Sequence, residues 1–230
     1  MWWDPMYYII GLPALLLALY AQWRVRSTYQ KYLSIPNAQG MTGIQAAQSL
    51  ARAAGLYLKI EGVQGELTDH YDPRSKTLRL SRNVAGSTSV GAAAIIAHEM
   101  GHALQDDEAY APLRLRSGLV PVVNLTSWLG PILFFIGLFF GFRELALVGV
   151  AFFAGAVVFS LLTLPVELDA SRRAMELLQE SRILVDQTAL RGARQVLSAA
   201  ALTYVAALAQ SVSTMLYYLL LLSGRGRRRR

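Results

Sequence analysis

The sequence predicts a mainly α-helical integral membrane protein that carries a small α+β domain, and three observations lead there. Hydrophobic residues make up 54% of the 230 positions and charged residues only 16%, too apolar a balance for an ordinary soluble domain. The apolar residues are gathered into long blocks, as membrane-spanning helices require. Between the blocks lie charged stretches whose apolar residues recur at strand or helix spacing.

Residues 1–26 read as an N-terminal transmembrane anchor. The block from Pro5 to Trp23 would span about 28 Å as a helix, enough for the hydrocarbon layer. Trp2, Trp3, Tyr7, Tyr8 and Trp23 supply aromatic belts at its two ends. A cleaved signal peptide would need a basic leading region and a small-residue cleavage site; neither is present, so an uncleaved anchor is expected. Arg24, Arg26 and Lys31 follow the block, whereas Asp4 precedes it, so residue 24 onward is expected in the cytoplasm.

Residues 27–117 read as the first half of a water-exposed α+β domain. Thr42-Gly43-Ile44-Gln45 has the form of a capping box, opening a helix that Gly55 can close. Leu56 to Glu61 alternates apolar and polar, as does Thr77 to Ser81, with Asp72-Pro73-Arg74-Ser75 as turn chemistry between them. The second stretch is expected to form a hairpin or edge strand. Ser87 or Ser89 can cap the next helix, which ends near Asp106.

Residues 118–165 read as a membrane hairpin, two apolar blocks separated only by Phe142-Arg143-Glu144. Residues 166–195 return to a polar pattern and supply the second half of the domain, opening with an amphipathic helix from Glu167. Eleven Lys or Arg lie in 24–117 and five in 166–195, against one in the hairpin turn, so both halves are assigned to the cytoplasmic side. In 196–230 the apolar run to Leu222 is long enough for a fourth span. That span would carry Arg225 and Arg227–Arg230 to the outside, against the charge rule. A helix packed within the domain or a re-entrant pair satisfies the rule instead, and the sequence leaves the choice open.

The net charge of +7 invites a nucleic-acid partner. However, the basic residues flank apolar blocks, where they bind lipid headgroups, and no aromatic-basic recognition motif accompanies them. The partners expected are therefore a lipid bilayer and a peptide or protein substrate, with no nucleic acid. Oligomeric state is not legible. Cysteine is absent, which excludes disulfides and thiolate metal sites.

The chemistry is concentrated in His98-Glu99-Met100-Gly101-His102. Residues four apart share a helix face, so His98 and His102 can reach one metal ion, and Glu99 can take a proton from a metal-bound water. A catalytic zinc usually has three protein ligands. The candidates for the third are His70, Glu167 and Asp169, of which Glu167 is best placed, just past the third apolar block. Asp169 lies about 200° around a regular helix from Glu167, which suits a hydrogen bond to one histidine better than a place on the metal. His70 and Tyr204 are candidate donors to the transition state by residue type. Thr77, Leu78, Arg79, Leu80 and Ser81 form a strand to whose free edge an extended peptide could add.

These motifs carry a resemblance. The N-terminal span, Tyr71-Asp72-Pro73, Leu78-Arg79-Leu80-Ser81, His98 to Gln105, the hairpin, and Pro165-Val166-Glu167-Leu168-Asp169-Ala170-Ser171-Arg172-Arg173 together resemble the YugP-type neutral zinc metallopeptidases of bacterial membranes. That family is distantly similar to the HtpX-type proteases. The resemblance implies a zincin-like domain with a short β-sheet before the histidine helix, and one zinc ion held by His98, His102 and Glu167 as in gluzincins. It also implies Glu99 as general base. HtpX-type proteins usually place an aspartate four residues after the ligand glutamate, where this chain has Ser171.

The expected function is that of a membrane-anchored zinc endopeptidase of the bacterial plasma membrane, its site facing the cytoplasm. It would hydrolyse peptide bonds by Glu-assisted attack of a zinc-bound water. Intramembrane proteolysis is excluded, because only a short apolar run precedes His98 and Gln105-Asp106-Asp107-Glu108 follows it. The alternative is a non-catalytic scaffold whose metal site only joins the two halves; it would need a fourth protein ligand.

Overall fold

A computed structural model describes residues 5–227, with side chains described through 224. Trp2, Trp3, Asp4 and Arg228–Arg230 lie outside the described residues, as do the side chains of Arg225 and Arg227. The chain is mainly helical: α1 (Pro5–Leu33), α2 (Gly43–Ala53), β1 (Lys59–Val63), β2 (His70–Asp72), β3 (Thr77–Ser81), α3 (Arg82–Ala85), α4 (Val90–Asp107), α5 (Ala111–Phe140), α6 (Arg143–Glu180) and α7 (Gln187–Arg227). Helices α1, α5, α6 and α7 are each long and apolar enough to cross a membrane. Contacts divide the residues into two compact units.

One unit holds the chain up to Ala21, Leu115–Leu164 and the chain from Thr203 on, which are the most apolar parts of those four helices. Its packing rests on small residues that let helices approach closely. A methyl group at Gly149 would fall 2.3 Å from the Phe134 nitrogen, and one at Gly137 would fall 2.4 Å from the Ala146 nitrogen, so α5 and α6 nearly touch backbone to backbone. Gly141 turns the chain between them with a positive φ of 77°, a conformation that L side chains resist. Phe134 stacks on Tyr218 at 4.1 Å between ring centroids, and Ser213 donates to the Ile10 carbonyl at 2.6 Å, which ties α7 to α5 and α1.

The other unit holds Gln22–Arg114 and Pro165–Leu202. Thr42 caps α2 through both bonds of a capping box with Gln45, and Ser89, rather than Ser87, caps α4 by accepting from the Ala92 N–H at 3.1 Å. Both caps follow from side-chain oxygens placed where the first turn leaves N–H groups without helical partners. Helix α4 runs through the core, with Ile96, Ala97 and Met100 fully buried. It is packed with α2, β3 and the later part of α6 around Leu50, Leu78, Leu80, Ala174 and Leu178.

The sheet has the order β1-β3-β2. Strand β2 pairs antiparallel with β3, His70 opposite Arg79, as the turn sequence predicts. Strand β1 pairs parallel with β3, Lys59 opposite Thr77. This corrects one expectation: Thr77–Ser81 is the central strand, paired on both sides, and has no free edge for a peptide. Its buried polar ends explain the placement, because Ser81 is held through both N–H and Oγ by Asp69, at 2.7 and 3.0 Å. The outer strands are β1 and β2.

A second correction concerns the helix that carries Glu167. The sequence suggests a helix beginning there; instead α6 runs unbroken from Arg143 through Pro165 to Glu180. Pro165 takes away one N–H donor, and the helix continues across it. Glu167 is therefore an interior helical residue rather than an N-terminal one.

Candidate metal centre

His98 and His102 project from one face of α4, their rings 4.8 Å apart between centroids. Glu167 faces them from α6, with Oε2 at 3.2 Å from His98 Nε2 and 3.4 Å from His102 Nε2. One ligand atom from each residue lies within 4.8 Å of the other two, and among the described residues this is the group of metal-ligating side chains that converges. The sixty-odd residues between the histidines and Glu167 are bridged by folding, where α4 and α6 come into close contact. A methyl at Gly101 would lie 2.4 Å from the Ala170 carbonyl oxygen, so the glycine between the two histidines is what lets α6 come near enough.

Burial differs across the group and sets its electrostatics. Glu167 is 2% exposed, whereas the histidines are 13% and 15% exposed. Burial alone would push the Glu167 carboxyl up, but hydrogen bonds and charge from His102 and His98 outweigh it and hold the group well below the usual carboxylate range. For His102, burial disfavours the cation, yet Glu167 and Glu99 together raise its pKa. The three side chains are thus arranged to share a cation. Two imidazole nitrogens and one carboxylate oxygen, without thiolate, make a donor set that fits zinc and leaves a coordination position for water.

Glu99 is partly exposed, one step around α4 from His98. Its Oε2 accepts from the Tyr71 N–H at 2.9 Å, and the Tyr71 hydroxyl donates to Asp106 Oδ2 at 2.9 Å. Tyr71 therefore fastens β2 to α4 at two points, two turns of helix apart. Burial raises the Glu99 carboxyl above its ordinary value, and the two imidazoles and the Tyr71 N–H offset part of that rise. A carboxylate held beside the two imidazoles in this way is suited to accept and return a proton.

The polar surroundings of the histidines include two residues to which the sequence reading gave no role. Gln105, wholly buried, points Oε1 at His102 Nδ1 at 3.0 Å. Ser171 Oγ lies 3.3 Å from His98 Nδ1. Ser171 is the position where the HtpX-type pattern carries an aspartate, so the shorter hydroxyl stands at that place beside His98. Gln105 was legible only as a helical neighbour of His102, three residues on. Asp169 does reach toward a histidine, but through Gln105, whose Nε2 donates to its Oδ2 at 2.9 Å. Arg172 and Arg173 also bind Asp169, at 2.5 and 2.6 Å.

His70 and Tyr204 are the remaining candidates. His70 is exposed at the start of β2, its Nδ1 at 2.8 Å from the Thr68 carbonyl oxygen. Tyr204 belongs to α7, in the unit that does not contain the histidines. His70 is not one of the converging three.

Comparison with known proteins adds an independent line. The family model described as "Putative neutral zinc metallopeptidase" matches residues 7–223. The chain is 40% identical to "Putative membrane protease YugP" of Bacillus subtilis (strain 168) over 222 residues, 96% of this chain and 98% of that protein. No solved structure matches. With a family match that begins in α1 and ends in α7, and a relative aligned over nearly all of both chains, the chain belongs to this family of neutral zinc metallopeptidases.

Proposed function

We propose that this protein is a membrane-anchored zinc endopeptidase, with His98, His102 and Glu167 as ligands of one zinc ion and Glu99 as general base. The observation that carries the reading is the approach of the buried Glu167 carboxylate to both imidazole Nε2 atoms, beside a carboxylate held by the Tyr71 N–H. Zinc held there supplies a Lewis acid, which acidifies water and polarises a peptide carbonyl. Glu99 takes the proton from the attacking water and returns it to the leaving amine. Its Oε2 is oriented by Tyr71, which limits the carboxylate's rotation and leaves Oε1 for the proton. Glu167, buried and held in its anionic form by the two imidazoles, would offset the charge of a bound metal.

A structural metal site would need a fourth protein ligand. The converging group offers three, which supports the open, hydrolytic reading over a scaffold. The charge distribution supports a site on the cytoplasmic face of the cell membrane, because the halves 24–117 and 166–195 carry most of the Lys and Arg.

The test compares purified wild type with Glu99→Gln and Glu167→Ala for bound zinc and for cleavage of unstructured peptides. Glu99→Gln is expected to keep zinc and to lose cleavage by about 10²–10⁴-fold. Glu167→Ala is expected to lose both. Stoichiometric zinc in the Glu167 variant would remove that residue from the ligand set, and undiminished turnover in Glu99→Gln would remove the base.

A further inference from the structure

We infer that Gln105 is a positioning residue that fixes the ring tautomer of His102, and that Asp169 with its two arginines holds the amide in the required orientation. The inference rests on His102 being a metal ligand, and the geometry carries it beyond that. In a neutral imidazole either nitrogen can hold the hydrogen, and only the other can bind a metal.

The Gln105 amide can sit in only one way. Its Nε2 donates to the Val166 carbonyl at 2.8 Å and to Asp169 Oδ2 at 2.9 Å. A backbone carbonyl has no hydrogen to give, and both Asp169 oxygens already accept from guanidinium groups, Oδ1 from Arg172 at 2.5 Å and Oδ2 from Arg173 at 2.6 Å. Turning the amide over would aim Oε1 at two acceptors, in a place fully shut off from water. That arrangement leaves buried groups unsatisfied. Oε1 therefore faces His102 Nδ1 at 3.0 Å. Since Oε1 can only accept, Nδ1 must carry the hydrogen, and the lone pair falls on Nε2, the atom that faces Glu167.

His98 is not fixed in this way. Its Nδ1 faces the Ser171 hydroxyl at 3.3 Å, and a hydroxyl both donates and accepts, so it serves either tautomer. The two histidines of the motif are thus held unequally: one by an amide braced through a carboxylate and two guanidinium groups, the other by a rotatable hydroxyl.

The test uses the full-length protein in detergent micelles. With three histidines in the chain, nitrogen shifts of ¹⁵N-imidazole-labelled protein can be assigned by single histidine substitutions. In metal-free wild type, at a pH where the ring is neutral, His102 is expected with its hydrogen on Nδ1. Gln105→Leu is expected to lose that preference and to bind zinc about 10–100-fold more weakly by chelator competition. Ser171→Ala is expected to leave the His102 tautomer unchanged. A wild-type His102 with its hydrogen on Nε2 overturns the inference, whether or not the leucine variant folds. So does a folded Gln105→Leu with wild-type zinc affinity, or one that loses zinc while His102 keeps its hydrogen on Nδ1, since that pattern marks a structural role only. If wild type itself binds no zinc, the ligand assignment fails separately, and the tautomer still judges the Gln105 contact.

Discussion

At the scale of single residues, the candidate site depends on an absence of side chain. Gly101 stands between the two histidines of α4, and the backbone of Ala170 occupies the space a methyl would need, with the carbonyl oxygen at 2.4 Å and the carbonyl carbon and Cα at 3.1 Å. Backbone cannot swing aside as a flexible side-chain tip can, so the added volume must push α6 away from α4. Overpacking of this kind costs about 1–3 kcal/mol. Because Glu167 lies less than one turn before Ala170, it moves with that displacement. Gly101→Ala is therefore expected to lower the unfolding temperature and also to weaken zinc binding, although it touches no ligand. Thermal unfolding and chelator competition on the same sample check this, and unchanged values of both would contradict the close packing. The His-Glu-x-x-His pattern was readable in the sequence because spacing alone puts its residues on one face. Glu167 was readable as a candidate third ligand from its position along the chain. Gln105 was not, because its role depends on Val166 and Asp169 meeting it from a helix sixty residues further on.

Among the elements, the ones set by local chemistry were legible and the one set by packing was not. The caps at Thr42 and Ser89 and the strand Thr77–Ser81 all follow from side chains acting within a few residues of themselves. The central place of β3 follows instead from the parallel partner β1, more than a dozen residues earlier, which no local pattern announces. The continuity of α6 through Pro165 was likewise hidden, since a proline in sequence reads as a helix boundary. The β2–β3 hairpin itself is closed by Asp72, which accepts from the Ser75 hydroxyl at 2.8 Å, the Arg79 guanidinium at 2.9 Å and the Arg74 N–H at 3.0 Å. Those donors hold its carboxyl down at about 2. A carboxyl with a folded value below its unfolded value stabilises the fold above the unfolded pKa, and loses that contribution as pH falls through the folded one. Wild type is therefore expected to exceed Asp72→Asn in unfolding temperature at about pH 5, with the gap closing between about pH 4 and about pH 2. The group is partly open to solvent, which screens these contacts, so the gap is small. A gap that stays constant over that window would remove the carboxylate's charge from the account.

For the whole molecule, the open point in the sequence was the last apolar run, and the structure weighs on it. Helix α7 continues from Gln187 to Arg227, and its later part belongs to the same unit as the apolar parts of α1, α5 and α6. Were all four helices to cross, Phe142 and Ser223 would lie on one side of the bilayer and the two halves that hold His98, His102 and Glu167 on the other. Sixteen Lys or Arg then lie with the metal centre and six with the hairpin turn and the tail. The charge rule is still met by the majority, even though five arginines of the tail oppose it. The chain has no cysteine, so single introduced thiols report their side without background. Phe142→Cys and Ser223→Cys are expected to react with a membrane-impermeant maleimide on intact cells. Gly62→Cys and Val185→Cys are expected to react only after the membrane is opened. All four sites are exposed on the protein surface, so silence at any one of them reflects the bilayer and not burial within the fold. If Phe142→Cys labels from outside while Ser223→Cys does not, α7 turns back or lies along the interface and the arginine tail keeps to the cytoplasm. If the whole pattern inverts, the four crossings stand but the metal centre faces outward, and the charge counts have been overruled by some other determinant of insertion.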